Sequence, residues 1–193
     1  MKRKVSLAFV AALFCAALAA PPALADTTVP NGGGGGKNIV VAVNQRSGRL
    51  AVRANLQVNR IPGPNVQPAN IAIGTTSCTD CQTLVVALQL NIAGQDASVI
   101  IPQNAAVATN AGCLRCYTVV RAVQYFFTVP DPLAGAPPVT DPLLRELDRT
   151  LTDIQSDQTL TVDEAEARLD AVIASFNEIA PTYANARDAA STP

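Results

Sequence analysis

The chain of 193 residues contains the same cysteine-centred stretch twice, and this duplication restricts the possible folds more than any other feature. The two stretches read SCTDCQTLVVALQ at 77–89 and GCLRCYTVVRAVQ at 112–124. The coinciding positions are Cys78/Cys113, Cys81/Cys116, Thr83/Thr118, Val85/Val120, Ala87/Ala122 and Gln89/Gln124. Self-similarity after roughly thirty residues is typical of a chain that builds one structural unit several times.

The segment before the first cysteine pair has the pattern of two β-strands. Apolar and polar residues alternate from Leu50 to Val58, which is typical of a half-buried strand. A shorter and more apolar strand is predicted at 39–43, and Gln45-Arg46-Ser47-Gly48 between them has the composition of a turn. These elements predict a β-hairpin.

The two cysteine stretches predict further hairpins of the same kind. A short strand starts at Asn70 and another at Asn104, each followed by a C-x-x-C turn and a longer apolar strand, and Asn38 holds the corresponding place in the first unit. The β-branched and aromatic content of 82–90 and 117–127 argues against helices there. We therefore predict an α+β fold in which residues 38–130 form antiparallel β-hairpin repeats.

The pattern changes to a helical period after a proline-rich linker at 131–139. A first helix is predicted from Thr140, and a second from Thr161, where T-V-D-E forms a capping box. The expected apolar stripes are Leu144, Leu147, Leu151 and Ile154, then Ala165, Leu169, Val172, Ile173 and Phe176. Residues 140–180 should form an αα-hairpin that covers or trails the sheet, and 181–193 a tail.

The N-terminal segment has the features of a secretory signal peptide. A basic start, an apolar run and Ala23-Leu24-Ala25 predict cleavage after residue 25, which would also remove Cys15. Residues 26–37 should form a glycine-rich linker. The mature protein is expected to be secreted or extracytoplasmic, with no membrane span after cleavage.

The amino-acid composition limits the kinds of catalysis, metal site and partner that are possible. The chain has no histidine, which excludes His-dependent acid–base catalysis, His-containing triads and mixed Cys/His zinc sites. From Lys37 to Pro130 there are seven basic and two acidic residues, and from Asp131 onward four basic and twelve acidic. The scattered arginines and the net charge of −1 predict no nucleic-acid partner.

The candidate functional residues are Cys78, Cys81, Cys113 and Cys116. Export favours oxidation, so we expect two disulfides, with pairing inside each motif preferred over pairing between motifs. Zinc held by four thiolates is the first alternative, because two C-x-x-C turns on hairpins can form a zinc ribbon. A thiol–disulfide oxidoreductase is the second, although such enzymes place the reactive cysteine at a helix N-terminus.

The doubled C-x-x-C-x-T-x-x-x-A-x-Q motif, together with the T-V-D-E helix start, resembles a cysteine-paired domain from the exported part of actinobacterial peptide zinc metalloproteases. The resemblance covers about residues 38–180. It implies an accessory domain alone, because the protease's H-E-x-x-H motif is absent and no catalytic residue can be carried over.

These observations together predict a secreted or envelope-associated structural or binding module that is not an enzyme and needs no cofactor, with zinc as the alternative. An envelope or secreted protein is the expected partner, since an unpaired sheet face or edge would fit one. The sequence does not indicate an oligomeric state.

Overall fold

A computed structural model describes residues 26–28, 34–134, 140–179 and 181–182. The strands are β1 (Asp26–Thr28), β2 (Lys37–Asn44), β3 (Leu50–Ile61), β4 (Asn65–Val66), β5 (Ala69–Thr76), β6 (Gln82–Gly94), β7 (Val99–Ile100), β8 (Gln103–Asn110) and β9 (Tyr117–Val129). The helices are α1 (Thr140–Ser156) and α2 (Val162–Asn177). The signal-peptide prediction and Cys15 fall outside the described residues.

The strands form three parallel sheets. The long sheet has the order β1-β3-β6-β9, the short sheet β2-β5-β8, and β4 pairs with β7. One short and one long strand make a layer: β2 with β3 is the first layer, β5 with β6 the middle layer, and β8 with β9 the last layer. Hydrogen-bonded neighbours in successive layers are 32 to 35 residues apart, as at Asn38–Asn70 and Gln89–Gln124.

The prediction of antiparallel hairpins is wrong. The two strands of one unit do not pair with each other; each pairs in parallel with the equivalent strand of the next unit. Alternation shows which side chains share a face, but it does not identify the strand that completes the backbone hydrogen bonds. Within one layer the strands face each other through their side chains, so the turn between them joins two sheets.

The narrow core between the long and short sheets is built from small residues. Its buried members are Val40, Ala42, Ala72, Val85 and Ala87. Gly74 shows how closely the sheets approach, because a Cβ atom added there would lie 2.8 Å from a methyl of Val120. Small side chains at these positions are therefore a condition for the layer to close.

The second and larger core lies on the outer face of the long sheet, beneath the helices. The side chains of Leu144, Leu147, Leu151 and Ile154 on α1 are buried there, as are those of Ala165, Leu169, Val172 and Phe176 on α2. These are predicted stripe positions, and the predicted capping box is also present: Glu164 N–H donates to Thr161 Oγ1 while Thr161 N–H donates to Glu164. Glu166 and Asp170 of α2 pair with Arg121 of β9.

Two further features concern the N-terminal segment and the membrane. Asp26–Thr28, in the predicted linker, pairs with β3 as a short strand. No helix within the described ranges is long and apolar enough to cross a bilayer.

Candidate functional site

The three turns that join the short strands to the long strands lie one above another at one side of the stack. Gly48 N–H donates to Thr79 O at 3.0 Å, and Asp80 N–H donates to Leu114 O at 2.9 Å, so neighbouring turns are hydrogen-bonded like neighbouring strands. Each turn has a residue in the left-handed region, with φ of +70° at Gly48, +56° at Asp80 and +53° at Arg115. The cysteine turns are therefore continuous with the layers.

Each cysteine pairs within its own motif. Cys78 bonds to Cys81 and Cys113 to Cys116, and in both pairs the Cα atoms are 5.9 Å apart, inside the range for a disulfide. The preferred pairing from the sequence is the one seen in the structure. Each disulfide joins cysteines that are three positions apart in sequence, so it closes a small loop. It holds the shape of the turn and adds little long-range constraint.

The two cysteine turns are in direct contact. Thr79 and Leu114 form a parallel β-bridge, and Cys116 Sγ lies 3.0 Å from Cys78 O. Burial differs between the turns, because Cys81 is fully buried while both cysteines of the last layer are partly exposed. Stacking therefore covers the first disulfide with the second turn.

An ion pair joins the same two turns on the solvent side. Arg115 donates from Nε to Asp80 Oδ1 at 2.5 Å and from a terminal nitrogen to Asp80 Oδ2 at 2.6 Å. The hydrogen bond from Arg115 lowers the pKa of Asp80, and the same bond raises the pKa of Arg115. Both side chains are exposed, so the pair orients the turns more than it stabilises them.

Amide side chains form a second cluster between the sheets, buried in the first two layers and more exposed in the last. From the sequence they were visible only as matching positions of the repeat. Asn38 Nδ2 donates to Asn70 Oδ1 and Asn70 Nδ2 donates to Asn104 Oδ1, both at 2.9 Å. Asn59 donates to Asn91, and Gln124 donates to Gln89, in the same way. The signal in the sequence was an asparagine at one register position of every unit, which is typical of a stacked amide ladder.

The carboxylates of the helices make structural contacts. Glu166 accepts from the Tyr117 hydroxyl at 2.8 Å and from Arg121 at 3.0 Å, which fixes α2 to β9. This bond to Glu166 is the main cause of the raised pKa of Tyr117. Among the described residues, no group of three or more Cys, Asp or Glu side chains has a metal-binding arrangement.

Each C-x-x-C motif directly precedes a strand: Cys81 is the residue before β6, and Cys116 is the residue before β9. A helix N-terminus would lower the pKa of a cysteine thiol, and neither pair has one. The arrangement is thus suited to fixing turns in a stacked sheet.

No protein-family model, curated protein or solved structure matches the chain.

Proposed function

We propose that this protein is a secreted or envelope-associated structural and binding module without enzymatic activity, in which two disulfides fix the turns of a stacked parallel sheet. The observation that carries the proposal is the position of the cysteines. They lie in turns that are hydrogen-bonded to each other, and one of them, Cys81, is inaccessible to solvent. Disulfides persist in oxidising compartments, which fits export.

The surface offers apolar area for a partner protein. The outward side chains of the short sheet are mainly aliphatic, and no described helix packs on them, whereas the same kind of face on the long sheet is covered by α1 and α2. The exposed members are Ile39, Val41, Val43 and Val107. A contiguous exposed apolar face is typical of an interaction site.

Two observations bear on the alternative functions. The stacking of the two turns would bring four reduced thiolates into neighbouring layers, so a zinc-stabilised interaction domain is the second candidate. An oxidoreductase is less well supported, because Cys81 is buried and no described helix begins at either motif.

The deciding experiment is the intact mass of the exported protein, purified without reductant and treated with a thiol-alkylating reagent under native and denaturing conditions. The proposal predicts that no cysteine is alkylated and that no metal is bound. Four alkylated thiols, together with one zinc released on denaturation, would replace it with the zinc-stabilised domain.

Paired serine variants test which cysteines bond. In the Cys78→Ser/Cys81→Ser variant the other two cysteines should stay resistant to alkylation, and the reciprocal variant Cys113→Ser/Cys116→Ser serves as its matched control. Catalysed reduction of a test disulfide by the wild-type protein, lost in Cys78→Ser, would instead support the oxidoreductase.

A further inference from the structure

The last strand of the short sheet, β8 (Gln103–Asn110), has an unprotected edge. All eight of its residues are exposed, and no strand in the described part of the chain pairs with its outer side. The strand contains no charged residue and no proline, which are the usual devices that keep a sheet edge from pairing with another chain. An edge of this kind is suited to adding a strand.

The edge of β8 also protrudes from the stack. β2 packs against both β3 and β6, β5 against both β6 and β9, and β8 against β9. The two sheets are therefore offset by about half a strand spacing, roughly 2.4 Å, and β8 extends past β9 by that amount.

At the opposite end of the stack, the outer edge of the long sheet is covered. β1 pairs with the outer side of β3, and Gln155 of α1 accepts a hydrogen bond from Ala54 N–H at 2.9 Å, on that same edge. The offset places β2 behind this covered edge of the long sheet. Pairing at the β2 end is thus obstructed, while pairing at the β8 end is open.

The hydrogen-bond pattern identifies the backbone groups that β8 offers. Gln103 N–H and Ala111 N–H donate towards β5, to Pro68 O at 2.8 Å and Thr76 O at 3.0 Å. Alternate residues of a strand point their backbone groups to opposite sides. The outward N–H and C=O groups are therefore those of Asn104, Ala106, Ala108 and Asn110.

The sequence of β8 is close to a palindrome about Val107. We propose that β8 pairs antiparallel with β8 of a second copy of this chain, about a twofold axis at Val107. Asn104 then lies opposite Asn110 of the other copy, Ala106 opposite Ala108, and Val107 opposite its own equivalent. The four residues whose backbone groups point outward form the hydrogen-bonded pairs of this register. Val107 lies opposite its equivalent in a non-hydrogen-bonded pair.

Side chains match in this register as well as backbone groups. On the inner face, Asn110 Oδ1 accepts from Thr118, and its amide nitrogen donates to no described residue, so it can donate across the axis to the Asn104 carboxamide. The alanines are small enough to face each other, and no like charges meet. The contact is isologous, so it closes at two copies.

The offset of the sheets allows this contact without collision. When the β8 strands are one spacing apart, the β9 strands of the two copies are about two spacings apart, roughly 9.6 Å. The short sheets would join into one sheet of order β2-β5-β8-β8-β5-β2, which doubles the apolar face available to a partner. The dimer is independent of whether the proposed function is correct.

Sedimentation of the exported wild-type protein over a concentration series tests the dimer. A single strand pair is smaller than a standard interface of about 800 Å² per partner, so we expect association in the micromolar range. Val107→Lys places two ammonium groups opposite each other on the axis and should weaken association tenfold or more. Val41→Lys is the matched control, because Val41 and Val107 are both 48% exposed at the centre of an edge strand.

A mixture of two variants separates the twofold contact from any other self-association. Val107→Lys and Val107→Glu should each be weakened alone, and an equimolar mixture should recover a dimer by placing opposite charges across the axis. Equal weakening by Val41→Lys, or no recovery in the mixture, would overturn the proposal.

Hydrogen exchange of the wild-type protein identifies other occupants of the edge. The proposal predicts that the amides of Asn104, Ala106, Ala108 and Asn110 become protected as concentration rises. Protection at every concentration would mean that the chain covers its own edge, and lack of protection at the highest concentration would mean that the edge stays open. Either result would contradict the dimer.

Discussion

The middle layer and the last layer have matching residues at matching positions, yet they differ sharply in burial. Asn70 and Ala72 of β5 are fully buried, whereas Asn104 and Ala106, their partners in β8, are exposed. The middle layer has a neighbour on each side and the last layer has one. Burial in this fold is thus set by the position of a layer in the stack as much as by residue type.

Asparagines at equivalent positions of the two layers also differ in role. Asn70 accepts from Asn38 and donates to Asn104, so it links all three layers of the short sheet. Asn104 accepts from Asn70 and donates to Ala122 O, an outward carbonyl of β9. In the middle layer the amide connects strands, and in the last layer it caps an edge.

The largest expected difference between the layers is in apolar packing. Leu88 of β6 is fully buried beneath the helices, and Val123 of β9, its partner in register, is only partly buried. Leu88→Ala should lower the free energy of unfolding by about 2–5 kcal/mol, because it leaves a cavity. Val123→Ala should cost less, and equal losses in chemical denaturation would contradict the burial difference.

Next in size is the asparagine ladder. Asn70→Ala removes a buried amide and leaves the carboxamides of Asn38 and Asn104 each without one partner, which should cost about 1–3 kcal/mol. Asn104→Ala should cost less, since water can reach the groups it leaves. Denaturation of both variants in urea measures the difference, and a larger loss for Asn104→Ala would reverse the comparison.

The disulfides should give a smaller effect. Small loops limit the stabilisation from each bond to about 1–2 kcal/mol. Cys78→Ser/Cys81→Ser should cost more than Cys113→Ser/Cys116→Ser, because a serine at position 81 would bury a hydroxyl where Cys81 is fully covered. Thermal unfolding of the two variants measures the difference, and equal melting temperatures would show that the burial of Cys81 has no energetic consequence.

The smallest effect concerns the ion pair between the turns of the two layers. Arg115 lowers the pKa of Asp80, so the stabilisation is present above the ordinary aspartate value of 3.8 and is lost as the pH falls through the lower value in the folded protein. Thermal unfolding should show a slightly steeper acid-side loss for the wild type than for Asp80→Asn. Added salt should reduce the difference, and a salt-independent difference would argue against an exposed pair.

Several local elements could be predicted from the sequence. The apolar stripes of both helices and the capping box at Thr161 are where the 3.6-residue period and the T-V-D-E motif placed them. Pairing inside each C-x-x-C motif was the preferred arrangement, because two cysteines in one turn lie at disulfide distance, although the sequence left pairing between motifs open. These features depend on neighbours in sequence, so the chain itself carries the information.

Strand pairing could not be predicted in the same way. A turn such as 45–49 can either fold two strands into one hairpin or pass the chain from one sheet to another, and alternation in β3 is compatible with both. The unbroken apolar run from Leu84 to Leu88 in β6 was the available signal, because a strand buried on both faces is typical of parallel sheets. The exposed edge of β8 also required the offset of the sheets, which no local pattern contains.

Nuclear Overhauser contacts between backbone protons of the labelled protein test the stacked arrangement most directly. Parallel stacking predicts amide-to-Hα contacts between residues in neighbouring layers, such as Ile71 with Ala105 and Val85 with Val120. Close Hα–Hα contacts are a mark of antiparallel pairs. Their presence between β5 and β6 would mean that each unit closes as a hairpin, and would contradict the parallel stacking of the units.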